Sequence, residues 1–353
     1  MAKVHNYSAG PCILPQEVLK EASESALNFD GLDLSILEIS HRSANFVAVM
    51  DEAVALVKEL LEVPEGYSVC FAQGGASLGF LMSAYNMIGD NKKSGYLNTG
   101  TWSKKAIKEA HFLGEVDVVA SSEDKNFSYI PKGYEVPSDC DYLHYTSNNT
   151  IFGTQFKEVP NTSVPLVCDM SSDIFSKKID VSKFDLIYAG AQKNLGPAGA
   201  TLYIVKDEIF TRNRIQIPTM LNLKTHIDKD SMFNTPPVYS IYVSMLNLRH
   251  LKKIGGIEAQ QKINEEKARI LYAEIDRNPL FKGVAAEEDR SNMNVTFVLT
   301  DESKQAKFDE MWQAANISGI KGHRSVGGYR ASMYNALPVS SVQVLVDVMN
   351  SLS

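Results

Sequence analysis

The sequence predicts an α/β protein, with a large, mainly parallel seven-stranded sheet followed by a smaller C-terminal α+β unit. Two observations carry this. First, short apolar runs at 69–72, 95–98, 116–120, 142–145, 166–168, 186–189 and 201–205 alternate with helical segments. These runs are mostly apolar on both faces, as strands covered by helices on both sides require. Second, the pattern changes after about Leu251, where Gly255-Gly256 precedes a long charged helix at 257–277 and an alternating strand at 292–298.

Taken in order, the first amphipathic helix is marked by Phe46, Val49, Met50, Ala53, Val57, Leu60 and Leu61, one stripe at helical spacing. Val63-Pro64-Glu65-Gly66 breaks it. After the first apolar run, Gln73-Gly74-Gly75-Ala76-Ser77 leads into a helix with Leu78, Leu81, Met82 and Tyr85 on one face. The C-terminal part reads as a helix around 304–316, a Gly-rich segment at 319–328 and a last helix from about Val339. Its alternating strand implies a sheet with one solvated face. The expected division is a large unit over 15–250 and a small one over 251–353, with residues 1–14 packing near the small one. Neither an internal repeat nor a low-complexity tract interrupts the pattern.

The 353 residues carry 35 Lys plus Arg against 42 Asp plus Glu, a formal charge of −7. That balance argues against a nucleic-acid binder, which needs surplus cations to displace counterions from phosphates. An anionic ligand must then be drawn in by a local basic cluster. Cys12, Cys70, Cys140 and Cys168 are far apart in sequence, with neither metal-ligand nor redox-motif spacing. No apolar stretch approaches the roughly 20 residues of a membrane helix, and the N-terminus lacks a signal peptide's apolar run. The expectation is a cytoplasmic protein without membrane, nucleic-acid or metal partners.

In an open parallel sheet, ligands bind beyond the carboxyl ends of the strands, so the polar residues just after each apolar run matter most. The Gly74-Gly75 turn offers backbone N–H groups and a helix dipole to an anion, although alone it reads more readily as a tight strand–helix connection. Trp102, one of two tryptophans, opens a helix after 95–98 and can stack on a planar ring, or simply pack. Asp169 follows a buried strand, where an acid must be paired with a cation or with donors. Lys193 follows the next run among small residues, and such surroundings shift an ammonium toward a nucleophilic amine. An acid and a lysine on successive strand ends suit pyridoxal phosphate: the lysine forms the Schiff base and the acid keeps the pyridine nitrogen protonated.

Longer motifs then carry a resemblance. Asn6-Tyr7-Ser8-Ala9-Gly10-Pro11, Glu38-Ile39-Ser40-His41-Arg42-Ser43 and Asp169-Met170-Ser171-Ser172-Asp173 lead to Tyr188-Ala189-Gly190-Ala191-Gln192-Lys193-Asn194. Asn234-Thr235-Pro236-Pro237 and the block from Gly322-His323-Arg324-Ser325 to Arg330-Ala331-Ser332 complete the set. Essentially end to end, the chain resembles the phosphoserine aminotransferase family, class V, fold type I pyridoxal-phosphate enzymes. The resemblance implies transfer of an amino group between glutamate and 3-phosphohydroxypyruvate by a ping-pong route, in serine biosynthesis. A phosphohydroxythreonine of vitamin B6 synthesis is a further substrate linked to the family.

The resemblance also implies roles. Lys193 is the Schiff-base lysine, and Gly75, Ala76, Ser77, Trp102, Thr150, Asp169 and Gln192 contact the cofactor. Lys193, Asp169 and Trp102 are the residues expected to act in catalysis. Asn234 and Thr235 reach the cofactor phosphate of a neighbouring subunit, which makes the expected assembly a homodimer. Arg42 and Arg330 hold the substrate carboxylate, and His41, His323 and Arg324 help hold the second anionic group. One departure stands out: many family members carry an arginine where this chain has Ser77, and Lys104 and Lys105 are the nearby cations that could replace it.

Three rival readings are weighed by their residues. A cysteine desulfurase of the same class needs a mobile, activated cysteine, and all four here lie in or beside apolar segments. An aminotransferase for small neutral substrates, such as alanine–glyoxylate, has little use for His41, Arg42, His323 and Arg324 together. The third is a non-catalytic phospho-ligand binder that keeps the fold.

Overall fold

The computed structural model describes residues 3–212 and 215–352. A two-residue strand β1 (His5–Asn6) is followed by helices α1 (Gln16–Ser25) and α2 (Ala44–Leu60). Then come β2 (Tyr67–Gln73), α3 (Gly75–Met87), β3 (Lys93–Asn98), α4 (Thr101–Ala110), β4 (Glu115–Ser121) and β5 (Tyr142–Thr146). A small hairpin of β6 (Asn148–Asn149) and β7 (Thr154–Gln155) precedes β8 (Leu166–Asp169), β9 (Leu186–Gly190) and β10 (Ala200–Lys206). Helices α5 (Ile209–Arg212), α6 (Leu223–Ile227), α7 (Val238–Lys253) and α8 (Gly256–Arg277) follow. The chain closes with β11 (Phe281–Gly283), β12 (Asn294–Leu299), α9 (Gln305–Ala314), β13 (Ile317–Ser318), β14 (Tyr329–Ser332) and α10 (Val339–Ser351).

The seven apolar runs form one seven-stranded sheet in the order β2-β10-β9-β8-β5-β3-β4. Strand β10 runs antiparallel to both its neighbours, and the other pairings are parallel. Six carboxyl ends therefore open toward one edge, and the turn carrying Lys193 joins β9 to β10 at that same edge. Both sheet faces are covered, which is why these strands read as continuous apolar runs. Phe71, Leu97, Leu143, Ile187 and Leu202 face a core closed by α2 and α7. Tyr96, Tyr142, Val167, Tyr188 and Tyr203 face the other core, under α3 and α4. The run at 116–120 is the exception, because β4 is an edge strand and Val118 is exposed.

A second, three-stranded sheet, β11-β12-β14, is antiparallel and packs against α8, α9 and α10 around Leu271, Phe297, Phe308 and Leu345. Strand β1 pairs in parallel with β13, and Tyr7 enters this core. Residues 1 and 2, part of the expected N-terminal segment, and residue 353 of the expected small unit lie outside the described residues.

Three local expectations are corrected. The helix at 44–60 is not the first, because α1 precedes it; its buried stripe of Val18, Ala22 and Ser25 holds too few apolar residues to stand out. On α3, the buried face is Gly79, Phe80, Met82, Ser83, Ala84, Asn86 and Met87, whereas Leu78, Leu81 and Tyr85 are half-buried. Gly79 decides this: a Cβ there would lie 2.7 Å from the Tyr188 ring, so the bare backbone is what meets the sheet. The polar face of β12 is not solvated. Asn294 and Thr296 are buried, the first accepting from Asn148 Nδ2 at 2.7 Å and the second donating to the Phe152 carbonyl at 2.8 Å. Polar alternation here marks a hydrogen-bonded seam with the large sheet's loops, not a surface. The motif ending at Ser332 also contains strand β14, for which the sequence reading makes no assignment.

Candidate active site

The strand ends converge on a 600 Å³ cleft lined by Gly75, Ala76, Ser77, Trp102, Thr150, Asp169, Gln192, Lys193, His323 and Arg330. Each arrives on its own element. Gly74 (φ 101°) and Gly75 (φ 61°) are left-handed, and a Cβ on Gly74 would strike Leu78 at 2.5 Å, so the tight turn that starts α3 requires glycine there. The turn places the first helical residues, including Ala76 and Ser77, on the wall of the cleft, where the N–H groups of a helix start lack intrahelical partners and no acidic residue stands in the first turn.

Asp169 ends β8 between Thr146 of β5 and Tyr188 of β9. It is buried, and Oδ1 accepts from Ser171 N at 2.9 Å and Ser171 Oγ at 2.6 Å. The same hydroxyl accepts from Gly190 N at 3.0 Å, tying the carboxylate to the end of β9. Burial raises the Asp169 pKa, while the Ser171 hydrogen bonds and the charge of Lys193 pull it back. In the sequence, the one sign that Ser171 holds this acid is the Asp-x-Ser spacing.

Lys193 is buried and its Nζ donates to Thr150 Oγ1 at 2.7 Å. Burial pushes its pKa down to about 8, against the opposing attraction of Asp169. The N-terminal segment, expected only to pack near the small unit, lines the cleft through Ala9, Gly10 and Pro11. A Cβ on Gly10 would stand 3.4 Å from Lys193 Cγ, and Cys12 Sγ donates to the Lys193 carbonyl at 2.7 Å. Burial pushes this thiol up to about 12, so it is no activated nucleophile. Cys70, Cys140 and Cys168 are buried and free.

Arg330 reaches the cleft from β14, with Nη1 donating to the Thr150 carbonyl at 3.4 Å. Its Nε and the Trp102 Nε1 are buried without a partner among the described residues. Orphaned donors on two cleft-lining side chains are costly unless a bound group meets them. Together with a helix start and a buried acid–lysine pair, they fit an anionic, ring-bearing cofactor.

Five expected residues do not line this cleft. Arg324 is exposed on the loop beside His323. His41 and Arg42 sit in the turn before α2, Arg42 exposed and His41 Nε2 buried without a partner among the described residues. Asn234 and Thr235 lie before α7, where the Thr235 carbonyl accepts from Gln73 Nε2 at 2.6 Å.

The family model for "Aminotransferase class-V" matches residues 4–345. The chain is similar to a phosphoserine aminotransferase of Flavobacterium johnsoniae, 62% identical over 99% of both chains. Among solved structures it resembles phosphoserine aminotransferase from Bacillus circulans subsp. alkalophilus, with a TM-score of 0.95 and 42% identity over 99% of this chain and 98% of that one. It also resembles the PLP-bound phosphoserine aminotransferase of Trichomonas vaginalis, with a TM-score of 0.94 and 34% identity over 99% and 100%.

Proposed function

The chain belongs to the class-V aminotransferase family, and from that premise we propose that it moves an amino group between glutamate and 3-phosphohydroxypyruvate, yielding 2-oxoglutarate and O-phosphoserine. The observation that carries this reading is the meeting of Lys193 and Asp169 in one buried cleft whose entrance is cationic. Pyridoxal phosphate, bound there, supplies a carbonyl carbon that exchanges amino groups and a ring that withdraws electrons.

The protein's own residues do the rest. The α3 N-terminus would hold the cofactor phosphate through backbone N–H groups, and Trp102 would pack on the cofactor ring. Asp169, fixed by Ser171, would keep a proton on the ring nitrogen. Lys193 Nζ, neutral at moderately alkaline pH, takes the α-proton of the amino acid and returns it on the other side of the exchange. Arg330 binds the α-carboxylate through paired hydrogen bonds, and His323 with Arg324 faces the second anionic group. Glutamate and the phosphorylated oxoacid both carry two separated anions, so one site serves both halves of the cycle. An assay with glutamate tests this: 3-phosphohydroxypyruvate should be aminated at least about tenfold more efficiently than hydroxypyruvate, the worth of one charge-assisted contact. Equal efficiency overturns the substrate assignment.

We read the chain as two units dividing near residue 250 and as a homodimer whose clefts are shared. His41, Arg42, Asn234 and Thr235 lie outside their own cleft, and the segment before His41 exposes Leu27, Leu32, Leu34 and Leu37. Mixing inactive Arg42→Ala and Lys193→Ala chains should then restore about a quarter of the wild-type rate, since half the dimers are mixed and each carries one intact site. No recovery removes the sharing. The free cysteines agree with a reducing, cytoplasmic setting, and no helix among the described residues is long and apolar enough to cross a membrane.

A further inference from the structure

Two consecutive lysines on α4 differ in what surrounds them. Lys104 Nζ meets Glu123 Oε1 at 2.5 Å, so its charge is already matched. Lys105 Nζ lies instead 4.5 Å from the centroid of the Trp102 ring. Lys193 Nζ is 5.7 Å from the centroid of that same ring, so Trp102 connects the buried amine to the rim where Lys105 sits. The i, i+3 spacing of Trp102 and Lys105 places both on one side of the helix.

The neighbouring loop brings its own cations. His323 lines the cleft, while Val326 packs with Trp102 against Phe127, Ile151 and Phe152. Burial depresses the His323 pKa, and the charged side chains acting with it are all cationic: Arg330, Arg324 and Lys105. A rim of this kind is repulsive to itself and attracts an anion more strongly the higher its charge.

We propose that Lys105 is a specificity-determining residue, its ammonium binding the substrate phosphate beside Trp102 together with His323 and Arg324. The inference rests on the amino-acceptor reading above. A phosphate carries about −1.5 to −2 at neutral pH against −1 for a carboxylate, so an added cation favours the phosphorylated substrate over a dicarboxylate. The aromatic face holds the ammonium near the rim, which reduces the freedom a long side chain must lose on binding.

The test uses the holoenzyme with glutamate, comparing kcat/KM for 3-phosphohydroxypyruvate and for hydroxypyruvate. Lys105→Gln should lower the phosphorylated-to-unphosphorylated ratio about tenfold, mainly through KM, as loss of one charge-assisted contact does. Lys105→Arg should keep the ratio within about threefold, because the cation remains. Lys104→Gln should leave the ratio unchanged. An unchanged ratio in Lys105→Gln, whether both efficiencies fall together or neither falls, overturns the proposal. Failure of the underlying reading looks different: the wild-type enzyme itself would show no preference for the phosphorylated acceptor.

Discussion

Lys193→Ala should lower kcat for amino transfer by at least about 10³-fold, because it removes the group that takes and returns the α-proton. The assay is steady-state conversion of phosphoserine and 2-oxoglutarate, and residual activity above a tenth of wild type would remove Lys193 from the proton-transfer role. The same residue sets a pH dependence with a definite sign. Burial lowers its pKa to about 8, and only the neutral amine attacks a carbonyl. At pH 7 about a tenth of the apoprotein carries that neutral form, and at pH 9 about nine-tenths does. Uptake of pyridoxal phosphate by the apoprotein, followed by absorbance, should therefore accelerate about tenfold between these values and then level off. A rate that keeps climbing tenfold per unit to pH 10 would mean that the cleft leaves the lysine unperturbed.

Asp169→Asn should lower kcat by about 10²- to 10³-fold, the usual effect of removing one preorganised electrostatic partner of the reaction. Stability should hold. The asparagine oxygen can still accept from Ser171 N and Oγ, and the substitution removes a buried carboxylate whose ionisation burial opposes. Thermal unfolding and cofactor content near wild type, with the large loss of kcat, is the expected result. A loss of cofactor in proportion to activity would make Asp169 a binding residue and nothing more. Ser171→Ala offers a milder companion, since it frees the carboxylate from one donor without removing its charge.

Much of this architecture was legible from residue order. Runs such as 142–145 and 186–189 are apolar on both faces because both faces are covered, and that property needs no knowledge of which strands are neighbours. The acid and the lysine are visible because Asp169 stands immediately beyond such a run and Lys193 four residues beyond the next. Other features escaped for identifiable reasons. Helix α1 buries three small or medium side chains among charged ones, so its stripe is thin. On α3 the apolar residues Leu78, Leu81 and Tyr85 suggested a face, but Gly79 against Tyr188 set the rotation. Asn294 and Thr296 looked solvated because polar side chains in a seam and on a surface have the same alternation.

Residue identity and spacing thus specified the layered class, the family and the two groups whose chemistry matters, since these depend on local periodicity and on motifs contiguous in the chain. Distances could not follow from order alone. Folding brings Thr150 to Lys193, Ser171 between Asp169 and Gly190, and Gly10 onto the lysine stem. It also separates Lys104 from Lys105, giving one to Glu123 and the other to the Trp102 ring. The physical reason is that desolvation and pairing depend on which distant segments exclude water around a group, and adjacent residues in a chain can meet entirely different neighbours.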